Sequence, residues 1–355
     1  MLKEQILSLQ KARSYPSISI FMPTTRITVD VSKEKTLIKN LLKDLEKKLI
    51  SKVDKRDAQA LLEKTRNVVD EIDYTKMLDG LGIFVNNEKH FIYRFPFTVP
   101  ELVIVDDTFE TRFLVKQYYR SFEYYLINLN ENWTALFSGF DDKLTEIDNE
   151  YFPFLLSDIV EISEEPSRFG FESVQLEKLK IYVRELFKRF ELSAEKGHPV
   201  ILAGVKKITS LLLNNVNKKD FIGEIEGSFS KSDVNRLGKR AFEILLSRYE
   251  TEKKEVLKNF EESFGKKKAA FGLLDIWNLT NEGRVGILLV EENYHQPTRF
   301  EGNQPIFVEE TNGPYFIEDL VDEVIELVFQ QKGDIYFYED GALKKYNKIG
   351  AILRY

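Results

Sequence analysis

Few residues of this chain stand in the patterns that bond-breaking chemistry requires. Cysteine is absent, which removes disulfides, thiolate catalysis and thiolate metal sites together. The three histidines, His90, His198 and His295, fall in three separate segments, with no i, i+4 pairing and no carboxylate at metal-motif spacing. No Gly-x-Ser-x-Gly elbow marks a nucleophilic serine. Gly302-Asn303-Gln304 offers a glycine for close backbone approach and a glutamine to orient water. It sits between an expected strand and an expected helix near the C-terminus, and reads first as a surface loop. Lys206-Lys207 follows Gly204 at a helix start, where backbone N–H groups can hold phosphate, but no Gly-rich loop or Walker pattern accompanies it. Glu291-Glu292 and Glu309-Glu310 read as surface charge. The sequence therefore predicts no catalytic residue, no metal ligand and no cofactor.

Binding chemistry is better represented. Lys35, Lys39, Lys43 and Lys47 recur every four residues and form a stripe opposite a leucine face. Such a stripe contacts RNA phosphates or is a solvated helix face, and Glu34, Asp44 and Glu46 beside it suit the second reading. Arg26 and Lys33, at the preceding turn and the helix start, are better placed to reach a partner. Arg168, Phe169 and Phe171 bring a cation and two rings to one polar loop, where rings either stack on bases or tuck into their own core. Gln175 is a further candidate there, although no glycine flanks it.

The elements that position these residues follow from periodicity. At 355 residues the chain is too long for one compact core. Its 43% hydrophobic and 31% charged residues are ordinary for a globular protein. A net charge of −7 argues against a general nucleic-acid binder but leaves room for local basic patches. The start of the chain lacks a signal-peptide pattern and no apolar run reaches membrane-span length, which predicts a cytoplasmic protein with no membrane partner. A short helix opens the chain, and Ser17–Met22 alternates as a strand. Ser32 to Ser51 and Asp54 to Asp73 read as amphipathic helices. Gly82–Asn86 and Phe91–Phe95 read as a hairpin, and Glu101–Asp106 as a strand. Strands are expected at Tyr124–Asn130, Trp133–Phe140 and Pro199–Gly204, with helices at Val174 to Phe190, Lys206–Leu213 and Lys231 to Lys266. Helices at Ala270–Glu282 and Phe316–Gln331 and strands at Val285–Glu291, Asp334–Tyr338 and Ala351–Tyr355 complete the pattern. The fold class is mixed α+β, in three domains: 1–120, 121–246 and 247–355.

Several segments, in this order, resemble the bacterial branch of the archaeo-eukaryotic class 1 release factor and Pelota family. They are Ser17-Ile18-Ser19-Ile20-Phe21-Met22-Pro23-Thr24-Thr25-Arg26, Phe95-Pro96-Phe97-Thr98-Val99-Pro100-Glu101-Leu102, and Leu202-Ala203-Gly204. Phe271-Gly272-Leu273-Leu274-Asp275, Gly283-Arg284-Val285-Gly286-Ile287-Leu288-Leu289-Val290 and the terminal Ala351-Ile352-Leu353-Arg354-Tyr355 extend the match. The resemblance implies a decoding-type first domain, an RNase-H-like sheet in the middle domain and a C-terminal α/β/α sandwich like that of kink-turn-binding ribosomal proteins. It also implies a ribosome, with rRNA and tRNA, as partner, and a translation GTPase beside it. Two family motifs are missing. The loop Glu164-Glu165-Pro166-Ser167-Arg168-Phe169-Gly170-Phe171-Glu172-Ser173-Val174-Gln175 lacks Gly-Gly-Gln, the tripeptide that directs water at peptidyl-tRNA. Val31-Ser32-Lys33-Glu34-Lys35-Thr36 lacks the stop-codon-reading Asn-Ile-Lys-Ser. The expectation is a factor of the release-factor type that has lost hydrolysis, serving ribosome rescue or hibernation as factors of the Balon type do. The alternatives are a divergent peptidyl-tRNA hydrolase or RNA-processing enzyme, and a non-ribosomal RNA- or protein-binding module.

Overall fold

The computed structural model describes residues 2–26, 31–130, 133–155, 158–159, 171–206, 209–210, 221–302, 304–309 and 316–355. In chain order its elements begin with α1 (Leu2–Gln10), β1 (Ser17–Pro23), α2 (Val31–Lys52), α3 (Lys55–Asp70), β2 (Gly80–Val85), β3 (His90–Phe95), β4 (Leu102–Asp106) and α4 (Arg112–Arg120). Then come β5 (Glu123–Asn130), β6 (Trp133–Phe140), β7 (Lys143–Ile147), α5 (Phe171–Ser193), β8 (Val200–Gly204), β9 (Phe221–Glu226) and α6 (Val234–Phe264). The last are β10 (Ala269–Phe271), α7 (Leu273–Asn281), β11 (Val285–Glu291), β12 (Thr298–Glu301), β13 (Gln304–Phe307), β14 (Phe316–Ile317), α8 (Leu320–Gln330), β15 (Asp334–Tyr338) and β16 (Ile349–Leu353). The class is mixed α+β, as the sequence predicts. Two compact units divide the chain: residues 1–119 with 255–355, and residues 120–254.

In the first unit, β3-β2-β1-β4 form an antiparallel sheet with β1 inside it. Ile18, Ile20 and Met22 face α2 and α3, meeting Ile38, Leu41, Leu45, Leu49, Leu61 and Leu62. The i, i+3, i+4 spacing of the helix leucines makes this burial possible, and each fully buried side chain contributes roughly 1.5–3 kcal/mol. The opposite face carries Phe21, which packs edge-on against Phe84 and Phe113 at centroid distances of 5.6 and 4.7 Å. That aromatic layer is continuous with Leu320, Val321, Val324, Val328 and Phe329 of α8, so the first and last segments share one core. Edge strand β4 is closed by two lysines of α2: Lys48 Nζ donates to Val103 O (2.8 Å) and Lys52 Nζ to Val105 O (2.9 Å).

The C-terminal part of this unit is layered. The sheet β10-β16-β11-β15 has α7 and α8 on one face, over Leu288 and Val290. Val256 and Phe260 of α6 lie on the other, over Leu289. Two helices expected here start later than predicted. Ala269–Phe271 pair with Gly350–Ile352 as β10, and Gly272, at φ 85, breaks the backbone before α7 begins at Leu273. Likewise Phe316–Ile317 pair with β12, and Asp319 then caps α8 by accepting from Val321 N at 3.0 Å.

The second unit is a five-stranded sheet of order β7-β6-β5-β8-β9. β5, β6 and β7 run antiparallel, while β8 and β9 lie parallel to β5, the arrangement of RNase-H-like sheets. Leu126, Phe137, Ile201 and Ala203 face Leu237, Ala241 and Leu245 of α6. Ile127, Leu136 and Leu202 face Tyr182, Val183 and Leu186 of α5. The continuous apolar run Val200–Gly204 is buried throughout, as a strand covered on both sides must be.

Candidate nucleic-acid interface

The turn after β1 is pinned on two sides. Thr24 Oγ1 donates to Leu78 O (2.8 Å), and Thr24 N donates to Asp79 O (3.1 Å). Thr25 gives both its N–H (2.7 Å) and its hydroxyl (3.2 Å) to Glu34 Oε1. Glu34 belongs to the first turn of α2 and is only 6% exposed, so its carboxylate holds the turn against the helix instead of facing solvent. Arg26 forks onto Asp79, with Nε 3.0 Å from Oδ1 and Nη2 2.7 Å from Oδ2. Between turn and helix opens a cavity of about 570 Å³ lined by Thr24, Thr25, Ser32, Lys33, Asn40 and Glu101 among others.

The expected cations of α2 all lie on its exposed side. Lys33 lines the cavity, and Lys35, Lys39 and Lys43 are exposed along the helix. Lys35 Nζ stands 5.5 Å from the centre of the Tyr74 ring, close enough for a cation–π contact. The hydroxyl of Tyr74 is pushed above its usual pKa by burial, then by Glu34 and Asp70. Lys47 pairs with Asp44 at 3.3 Å, an exposed pair of small energetic weight. The stripe is thus a real, outward cationic face. Arg26, by contrast, is committed to Asp79.

In the second unit, Phe171 and Gln175 fall in the first turns of α5. Arg168 and Phe169 lie outside the described residues, as does Lys207. A further cavity of about 660 Å³ opens beside the C-terminal half of α5. Phe187, Phe190 and Phe221 contribute apolar surface to it, and Lys180, Arg184, Lys196 and His198 line it beside Glu191 and Glu195. Sequence pattern alone does not single out this set. The available signal is Lys180 and Arg184, four apart on a helix whose other side is apolar.

The remaining motifs are structural. Gly302 and Gln304 belong to the β12–β13 hairpin, not to a strand–helix link, and Gly302 supplies φ 63; Asn303 lies outside the described residues. His295 is half-buried, and its pKa is lowered to about 4, first by that burial and then by the Arg112 charge. His198 Nε2 lies 3.8 Å from Glu195. Among the described residues no group of three His, Asp or Glu side chains is arranged to hold a metal ion, and no helix is long and apolar enough to cross a membrane.

Comparison with known proteins bears out the resemblance read from the sequence. Residues 123–284 match the sequence model of bacterial archaeo-eukaryotic release factor family 3. No curated protein matches the chain. Among solved structures, Archaeoglobus fulgidus Pelota is similar at 13% identity and a TM-score of 0.40, over 100% of this chain and 91% of that one. Dom34 of S. cerevisiae, described as a termination-like factor interacting with Hbs1, is 13% identical at a TM-score of 0.41, over 78% of this chain and 79% of its own. An archaeal Pelota described as ribosome-bound with ABCE1 is 11% identical at a TM-score of 0.43, over 99% and 94%.

Proposed function

We propose that this relative of the bacterial archaeo-eukaryotic release factors is a ribosome-associated translation factor that occupies the ribosome without hydrolysing peptidyl-tRNA. The observation that carries the reading is the family match over residues 123–284 in a chain that contains no Gly-Gly-Gln. Its role is rescue or hibernation, in the cytoplasm. Segment 1–120 acts as the decoding-side domain, 121–246 as the middle domain and 247–355 as the sandwich domain that meets a translation GTPase. Lys33, Lys35, Lys39 and Lys43 supply the phosphate contacts of the first domain, because their exposure leaves the ammonium groups within reach of rRNA. Arg26 acts with them only by exchanging Asp79 for a phosphate. Arg168, Phe169, Phe171 and Gln175 form the middle domain's contact with rRNA or tRNA.

The test is cosedimentation of the purified protein with ribosomes from unstressed and stressed cells, paired with a peptidyl-tRNA release assay. Ribosome binding without release is expected. Persistent absence from ribosomal fractions ends the reading. Release that is lost in Gln175→Ala or Arg168→Ala replaces it with a divergent hydrolase.

A further inference from the structure

Three successive residues where α4 begins grip one face of α8. Glu110, Thr111 and Arg112 are all at most 4% exposed, and so are buried beside Asp319, Asp322 and Glu326. Glu110 N donates to Ser19 Oγ (2.9 Å), which fixes this link to β1. Thr111 N donates to Asp322 Oδ2 (3.2 Å), and its hydroxyl donates to Glu326 Oε1 (2.8 Å) while accepting from Gln10 Nε2 (3.0 Å). Arg112 pairs with Asp319 and donates to Tyr294 O at 2.5 Å.

The Glu110 and Asp322 carboxyls lie within hydrogen-bond reach of each other. Yet Glu110 Oε1 and Asp322 Oδ1 are both buried and meet no N–H or O–H donor of the protein. Two carboxylates cannot bond to each other; a carboxylic acid and a carboxylate can. We propose that Glu110 and Asp322 share one proton, and that this proton clasps the 1–119 segment to α8 of the 255–355 segment.

The surroundings favour that state. Carboxyls outnumber cations at the seam: Asp106 and Asp107 approach from the end of β4, and Asp319, Glu323 and Glu326 from α8. The cations facing them are Arg13, after α1, and Arg112, whose Nε is 3.6 Å from Glu110 Oε1. Lys52 is already paired with Glu318, and Lys116 with Glu292 at 2.7 Å. Neutral His295 adds no charge. Burial, reinforced for Asp322 by the Glu110 charge, pushes both members of the pair upward, Asp322 furthest. Carboxyls whose folded pKa lies above the unfolded value, near 4, bind more protons folded than unfolded. Stability therefore falls as pH rises through that window.

The experiment is urea unfolding of the full chain carrying Trp133→Phe, so that Trp277, in the unit that holds the seam, is the remaining tryptophan reporter. Measured from pH 5 to 9, the unfolding constant of the parent should rise by up to tenfold per pH unit for each proton held. Asp322→Asn supplies a permanent N–H to Glu110, so its slope should be smaller by up to that factor per pH unit. Glu110→Gln makes the same exchange from the other side and serves if the first variant does not fold. A parent with no pH dependence, or variants whose slopes run parallel to it, would overturn the proposal. So would abolition of the parent's pH dependence by millimolar magnesium or calcium, because the shared group would then be a cation.

Discussion

Replacing Arg112 by methionine keeps the buried stem and removes the charge. Arg112 is 3% exposed, and its guanidinium pairs with Asp319 and donates to Tyr294 O. Its loss leaves the Oδ2 side of the Asp319 carboxylate without its cation, while Oδ1 still accepts from Gln296 N and Val321 N, both at 3.0 Å. Removing one partner of a buried ion pair costs roughly 3–5 kcal/mol, and the two surviving backbone bonds place this case at about 3 kcal/mol. The seam unit should lose that much in urea unfolding followed by Trp277 fluorescence. Arg112→Met with Asp319→Asn removes the stranded charge and keeps both backbone acceptor bonds, so the double variant should recover at least about 1 kcal/mol of the loss. In parallel the His295 pKa, lowered to about 4 first by burial and then by Arg112, should rise in an NMR titration. A single-variant loss below about 1 kcal/mol, or strict additivity in the double variant, would refute the reasoning that the charge pair holds the seam.

Other perturbations test other parts of the molecule. Lys35→Glu with Lys39→Glu and Lys43→Glu should leave the circular dichroism unchanged and weaken ribosome cosedimentation. The log–log salt slope should shrink by about 0.7–0.9 for each phosphate that the variant no longer neutralises, and an unchanged slope would return the stripe to plain solvation. Gly139→Ala would put a Cβ 2.3 Å from the Tyr124 ring. Since Tyr124 is 2% exposed and donates to Asp141 O at 3.1 Å, the second unit should lose about 1–3 kcal/mol by Trp133-monitored unfolding. Glu323 has its pKa raised to about 7 by burial, then by Asp106; its folded pKa exceeds the unfolded one, so its contribution worsens as pH rises from about 4.5 to 7. Glu323→Gln should therefore be neutral at pH 4 and stabilising at pH 8 by on the order of 1–3 kcal/mol, read from unfolding midpoints at both pH values.

Elements whose pattern is set by their own residues are legible in the sequence. Trp133–Phe140 and Val285–Glu291 match their expected bounds to the residue, and Ser32 to Ser51 matches within a residue at either end, because apolar side chains recur there at 2 or at 3.6. Elements whose partners are distant are not. α4 escapes because Arg112, Lys116 and Gln117 look like surface residues and are buried. β7 and β9 are edge strands of mixed polarity, so no alternation announces them. The second face of β1 misleads in the same way. Ser17 and Ser19 are polar, yet beside Phe21 both serines are fully buried. Ser19 satisfies its hydroxyl by accepting from Glu110 N.

The site shows the same division. Period alone puts Lys35, Lys39 and Lys43 outward, and the structure agrees. It cannot show that Glu34 turns inward to Thr25, or that Arg26 is met by Asp79, 53 positions on. The seam is harder still, since Arg112 and Asp319 stand 207 residues apart. Yet α8 does carry a usable signal. Asp319, Asp322 and Glu326 fall at i, i+3 and i+7 on or beside a helix whose Leu320, Val321, Val324, Ile325, Val328 and Phe329 are apolar. A helix apolar on nearly every side is buried, so its acids go in with it, and buried carboxylates demand cations or protons. The sequence Glu110-Thr111-Arg112 supplies one cation, one hydroxyl donor and one more acid. Arg112, even with Arg13 facing Glu326, cannot neutralise four carboxyls, so a low-dielectric seam built from these residues takes up protons as it closes.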